Sequence, residues 1–524
     1  MGLALKQENE LPFLSLVEEP MLKVLPGGKA EAKPLAEIIP FDSSNLERDC
    51  TYDKVSNVTQ KTTPNAKTLS YGYDALNRLI TKTTSEQTYA YTYDTLSQLT
   101  NATNAASALT FGYDSIGELT STKTAAPQPA GTLSYSYDSA MRKTTFTVGS
   151  WKATYGYDKA NRLTSIANTS GTTFTFGYDL GGRRTNLKKT TGSTLERTYN
   201  YDNANRLIEL ISKSNGTEIT HLQYQYDKTG NKTDITDKYG EHIPSYDALY
   251  RLINLTNALT TGGQETFNYD LTGNRTSDQT QTYSTNELNQ ITHGTNNLSL
   301  TYDNNGNTVT KTENGITWTY TWNSENQLTK ITNNAQTPIT VTYEYDALGR
   351  RITQTTTQNS ATTKNQWIYD GEDLYLEYEN GISKAYYIHG PNTDEPLAKS
   401  MGGTLYSYHP DGLGSIAAIT SGGLVESYRY TSFGKPTIYD KNGATLTSST
   451  IKNPYLFTGR EYNSETKLTY RRNRYDDPSI GIFLSPDPSG FDDGPNKYIL
   501  TGDNPINWTD PLGLYPLNTT ASDL

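Results

Sequence analysis

Thirteen Tyr-Asp pairs recur between residues 52 and 346, beginning at Tyr52, Tyr73, Tyr93, Tyr113, Tyr137, Tyr157, Tyr178, Tyr201, Tyr226, Tyr246, Tyr269, Tyr302 and Tyr345. Successive gaps run from 20 to 25 residues until the last two, 33 and 43, and those two conceal degenerate copies: Tyr283-Ser284-Thr285-Asn286 and Tyr320-Thr321-Trp322-Asn323. A fixed period of this length marks one supersecondary unit repeated along the chain. The fullest copy reads Tyr71-Gly72-Tyr73-Asp74-Ala75-Leu76-Asn77-Arg78-Leu79. Tyrosines at i and i+2 share one face of a strand. The Asp can close that strand by bonding to its own backbone, Asn or Gly permits a tight turn, and Arg-Leu begins the return strand. Between copies stand turn formers such as Asn168-Thr169-Ser170-Gly171, with no apolar stripe of helical period.

The array therefore predicts hairpin after hairpin over residues 50–355. Roughly thirty strands at about 4.8 Å each make a ribbon about 140 Å long, or about 45 Å across if closed. A closed ribbon of that size exceeds what side chains can fill, so an all-β, hollow shell is expected. Composition agrees. Only 34% of the 524 residues are hydrophobic and 41 are tyrosine, so burial must draw on tyrosine and threonine, which favour strands. The tyrosine rows suit cross-strand packing, with a carbohydrate-stacking platform as the alternative.

Other classes find little footing. A formal charge of −11 without a dense Lys/Arg run argues against a nucleic-acid partner. Cys50 is the single cysteine and no histidine pair stands at ligand spacing, so neither a metal nor a cofactor is expected. Residues Met1–Asn45 lack a basic start followed by an apolar core, and Leu11–Val17 is too short to span a bilayer. A secreted or cell-surface location would then need a non-Sec route or an N-terminal region outside this sequence. His409 has no recognisable nucleophile motif beside it and is expected to be structural.

After residue 356 the period fades and other landmarks follow in order: Trp367-Ile368-Tyr369-Asp370-Gly371, Tyr408-His409-Pro410-Asp411-Gly412, Phe457-Thr458-Gly459-Arg460, Arg474-Tyr475-Asp476-Asp477-Pro478, Ser485-Pro486-Asp487-Pro488-Ser489-Gly490 and Asp510-Pro511-Leu512-Gly513-Leu514. Together with the array, this set resembles the Rhs repeat-associated core domain, and the chain is similar over about residues 50–514 to Rhs proteins, wall-associated proteins and insecticidal-toxin C components. The resemblance implies a spiral of β-hairpins forming a cocoon that is closed by the core domain, residues 356–514. It implies the function as well: an encapsulation shell that holds a C-terminal toxin and releases it through secretion or translocation machinery. Residues 1–49 are expected to be a poorly structured or partial segment, and 515–524 a short tail too small to be that cargo. The alternative function is a surface adhesion or carbohydrate-binding scaffold.

The resemblance also implies self-cleavage between Leu514 and Tyr515 by an aspartic-protease-like pair, Asp487 and Asp510, with Arg474 orienting or charge-balancing them. Two carboxyl groups sharing one proton can activate water and protonate a leaving group. The chain departs from the family pattern at Ile482, where an arginine is usual, and at Asp476. These changes are expected to remove a positive and add a negative charge near the pair.

Overall fold

A computed structural model describes residues 50–256, 263–492 and 494–518, together with two short strands, Leu22–Val24 and Ala30–Ala32, that pair antiparallel. The expectation for residues 1–49 otherwise lies outside the described residues, as does that for 519–524. Among the described residues the regular structure is nearly all β-strand, and no helix is long and apolar enough to cross a membrane.

The repeat is a hairpin for reasons visible in one copy. Strand Thr68–Tyr73 pairs antiparallel with Leu79–Thr83, and the register slips by one residue between Gly72 and Tyr73. That bulge opens the turn. Oδ1 of Asp74 accepts the amides of Leu76 at 2.9 Å and Arg78 at 3.0 Å, and Asn77 takes a positive φ of 60°, the region Asn tolerates best after Gly. The same bulge recurs at Tyr93, Tyr157, Tyr178, Tyr201 and Tyr226.

Several copies are also fastened to the next. Arg78 donates from Nε to Oδ2 of its own Asp74 at 2.7 Å and from Nη1 to the carbonyl of Asp94 in the following copy at 2.9 Å. Its guanidinium lies 4.8 Å from the ring centroid of Tyr93, whose hydroxyl donates to the carbonyl of Leu79 at 2.9 Å. Arg162 with Tyr178, Arg206 with Tyr226 and Arg251 with Tyr269 repeat the arrangement. The second tyrosine of a copy thus spends its hydroxyl on a backbone carbonyl, while the first, such as Tyr71 or Tyr91, is buried. Each such hydrogen bond is worth about 1 kcal/mol and each exposed cation–π contact about 0.5–1 kcal/mol.

Two compact units are present: Met1–Gly149 with Asp346–Leu348, and Ser150–Tyr345 with Gly349–Leu524. In the first, successive strands from Thr51–Tyr52 to Lys143–Val148 pair in chain order around a core of Val58, Leu69, Tyr71, Tyr91, Leu99 and Phe111. In the second, hairpins continue, and one seventeen-stranded sheet runs in chain order from Tyr283–Thr285 to Thr445–Leu446. The hairpin order therefore continues past residue 356, where the motifs change. Beyond it, a four-stranded sheet of Glu461–Tyr462, Thr469–Arg471, Arg474–Asp477 and Ile482–Phe483 packs against the array through Tyr320, Tyr343, Tyr345, Tyr470, Tyr475 and Leu484. Buried ion pairs join the same parts, Arg351 with Glu461 and Lys311 with Asp477.

Candidate functional site

The closing segment folds back so that Trp508–Thr509 pairs with Leu517–Asn518, and the Leu514–Tyr515 bond lies in the loop between them. A row of four side chains grips this loop. Arg471, Arg472, Asn473 and Arg474 donate in turn to the carbonyls of Asp510, Pro511, Leu512 and Gly513, each 39 residues further on, at 3.3, 2.5, 3.0 and 2.5 Å. Gly513 is required by this grip: its φ is +67°, and a Cβ there would meet the carbonyl oxygen of Arg471 at 2.5 Å.

Arg474 also gathers the two aspartates. Its Nη2 lies 2.6 Å from Oδ2 of Asp487 and 3.2 Å from Oδ2 of Asp510, while Nη1 donates to the carbonyl of Lys497 at 3.1 Å. The Phe483 ring lies beneath the guanidinium, 3.5 Å away at its centroid. Asp510 Oδ1 accepts the amide of Leu514 at 3.0 Å. Asp487 Oδ1 accepts both the amide and the hydroxyl of Ser489, at 2.8 and 2.6 Å. The structure thus brings Asp487, Asp510, Arg474 and Leu514 together, all buried, with Tyr515 partly buried next in the chain.

Burial raises both carboxyl groups above the ordinary aspartate range, and Arg474 offsets part of that rise at each. At Asp487 the two Ser489 hydrogen bonds also favour the ionised form. Asp510 lacks a hydroxyl donor and is the more deeply buried of the two. The environment therefore distinguishes the pair.

Ser489 is the residue that sequence reasoning missed. Its Oγ lies 3.4 Å from the Leu514 carbonyl oxygen, and only its place in the Asp-Pro-Ser-Gly turn hinted at it.

One charge expectation is corrected. Ile482 does not face the carboxylates: its side chain packs with Ile480, Tyr283, Ile291, Leu298 and Leu300. Its neighbour Phe483, on the opposite strand face, is the residue that meets Arg474. Asp476 does add a buried negative charge, but Arg471 Nε binds it at 2.6 Å. His409 lies buried with Ser212 Oγ 2.6 Å from Nδ1 and Thr420 Oγ1 2.9 Å from Nε2. Among the described residues no carboxylate bonds to that buried Ser-His pair.

Several known proteins resemble this chain. The chain is 31% identical over 324 residues to a tRNA3(Ser)-specific nuclease, WapA, of Bacillus spizizenii, covering 60% of this chain and 12% of the nuclease. It is 28% identical over 323 residues to the double-stranded DNA deaminase toxin A of Burkholderia cenocepacia, covering 56% of this chain and 22% of the toxin. The chain therefore spans less than a quarter of the length of either. The crystal structure of TcdB2-TccC3 without its hypervariable C-terminal region shares the fold, with a TM-score of 0.65 and 16% identity over 89% of this chain and 28% of that one. The RHS repeat matches residues 52–90 and 157–194. The teneurin YD-shell matches residues 182–504, more than half of the sequence, and the chain belongs to that family.

Proposed function

We propose that this chain is the shell of a toxin-delivery protein, exported from the cell, which encloses a cargo that follows residue 514 and cuts the chain between Leu514 and Tyr515. The observation that carries this reading is the convergence of Asp487, Asp510 and Arg474 on the loop that holds Leu514. Two relatives bear toxin or nuclease names and extend far beyond the matched region, in keeping with a shell joined to an effector.

In this reading Asp487, favoured as carboxylate by Ser489, takes a proton from water as its oxygen adds to the Leu514 carbonyl carbon. Asp510, acting in the protonated form that burial favours, gives its proton to the Tyr515 nitrogen as the C–N bond breaks. The products are the Leu514 carboxyl group and the Tyr515 amine. Arg474 holds both acids in place and limits their repulsion throughout.

Intact mass spectrometry tests the chemistry. Wild-type protein extended past Leu524 by a reporter domain should resolve into a piece ending at Leu514 and the released remainder, whereas Asp487→Asn and Asp510→Asn should stay full length. Wild type that remains uncut in fresh and aged samples, like both variants, overturns the cleavage. Added protease tests enclosure: a reporter degraded as fast with the shell as without it overturns the container role.

A further inference from the structure

Arg197, on strand Leu195–Tyr201, is fully buried. Its Nη2 donates to the carbonyl of Tyr408 at 2.6 Å, but Nε and Nη1 have no partner among the described residues. Five of the other buried arginines among the described residues, Arg184, Arg351, Arg460, Arg471 and Arg474, each bind a carboxylate. The sixth, Arg275, also has Nε and Nη2 unpartnered but lies over an aromatic ring, 3.7 Å from the Phe433 centroid. A buried guanidinium without an anion is costly by several kcal/mol.

Among the described residues no carboxylate pairs with Arg197, and hydroxyl-bearing residues stand beside it. Ser212 stands directly opposite it in register, and Thr220 stands opposite Ser212 on the next strand. Ser212 meets His409 at 2.6 Å. Burial, reinforced by the Arg197 charge, holds the His409 pKa down to about 3, so the imidazole is neutral. Ser214 lies two residues beyond Ser212 on the same strand face, and Ser407 two residues before His409 on its own; both hydroxyls, like that of Thr220, are buried without a partner.

We propose that Arg197 is the centre of an internal binding site for a small monovalent anion of about the size of chloride, with neighbouring serine and threonine hydroxyls as the remaining donors. A single guanidinium balances one negative charge, and complete burial leaves no room for a large oxyanion to stay hydrated. Every unpaired group in the set can donate a hydrogen bond, which suits a halide. The site is structural: it lets two strands of the array pack against Thr404–Pro410 without an uncompensated charge.

Crystals grown with bromide as the only halide test this, together with melting curves in chloride and in gluconate at equal ionic strength. The expected result is an anomalous peak within hydrogen-bond distance of the Arg197 guanidinium and a midpoint that rises with chloride, because a ligand bound only by the folded state stabilises it. Arg197→Met should abolish both. Ser212→Asp supplies an internal carboxylate, so it should fold and melt independently of halide even if Arg197→Met fails to fold. Water alone at the site, coincident wild-type midpoints in the two salts, or full chloride dependence in Ser212→Asp would each overturn the proposal.

Discussion

Ser489 Oγ stands 3.4 Å from the carbonyl oxygen of Leu514, the next carbonyl after the four that the Arg471–Arg474 row grips. Its one hydroxyl proton rests on Asp487 Oδ1 and can turn to the Leu514 oxygen as Asp487 becomes protonated and negative charge develops on that oxygen. A well-placed donor of this kind contributes about 10²–10³ in rate, and the longer distance here predicts a smaller effect. Ser489→Ala should slow cleavage about tenfold, and Ser489→Thr should restore most of the rate. Because Ser489 also favours the carboxylate form of Asp487, the alanine variant should shift the acidic limb of the pH–rate profile upward. Densitometry of the two fragments over time measures both effects.

Arg474 compensates two buried acids at once. Removing one partner of a buried ion pair costs about 3–5 kcal/mol, so Arg474→Met should lower the denaturant midpoint strongly as well as stop cleavage. Arg474→Lys keeps the charge but loses the planar fork that reaches Gly513, Asp487 and Asp510 together. It should fold better than the methionine variant and cleave more slowly than wild type. Equilibrium unfolding in urea, beside the cleavage assay, separates the two contributions.

Asp503 offers a pH test away from the site. It is buried with Oδ2 unpartnered, and burial raises its pKa from 3.8 to about 7, against the pull of Arg275 and Arg251 and with the repulsion of Asp247 and Asp270. An acid whose pKa is higher in the folded state stabilises fully below its unfolded value and loses that contribution as pH rises through the folded value. The rise is equivalent to about 4 kcal/mol as an upper bound. Wild type should therefore lose stability relative to Asp503→Asn between about pH 4 and pH 7, and the variant should be the more stable at pH 8. Thermal melts of both proteins across that range check the sign.

In the array, Tyr226→Phe removes the hydroxyl bonded to the Leu207 carbonyl, and Arg206→Ala removes contacts to Asp202, the Asp227 carbonyl and the Tyr226 ring. The first should cost about 1 kcal/mol and the second about 1–2 kcal/mol. Amide exchange should quicken at residues 202–207 and 226–231 before it does elsewhere.

The hairpins were legible because each is made by neighbours in sequence. Asp74 bonds amides two and four residues on, and Asn77 sits where a positive φ is needed. The candidate site was legible only through the resemblance that pointed to Asp487, Asp510 and Arg474. The grip of residues 471–474 on 510–513 acts across 39 residues and has no periodic signal. The expectation at Ile482 rests on the resemblance, in which an arginine is usual there; in a strand the next residue, Phe483, faces the other way and carries the contact with Arg474.

The bond from Arg78 to the turn of the following copy, repeated at Arg162, Arg206 and Arg251, makes length a modular property. Insertion or removal of one whole copy leaves every remaining arginine facing a Tyr-Asp turn, so such a wall can be lengthened in courses like brickwork. A change of half a copy would strand one arginine and expose the face its tyrosine had covered. Genes for such walls can thus vary in the number of courses while the joint between them stays the same.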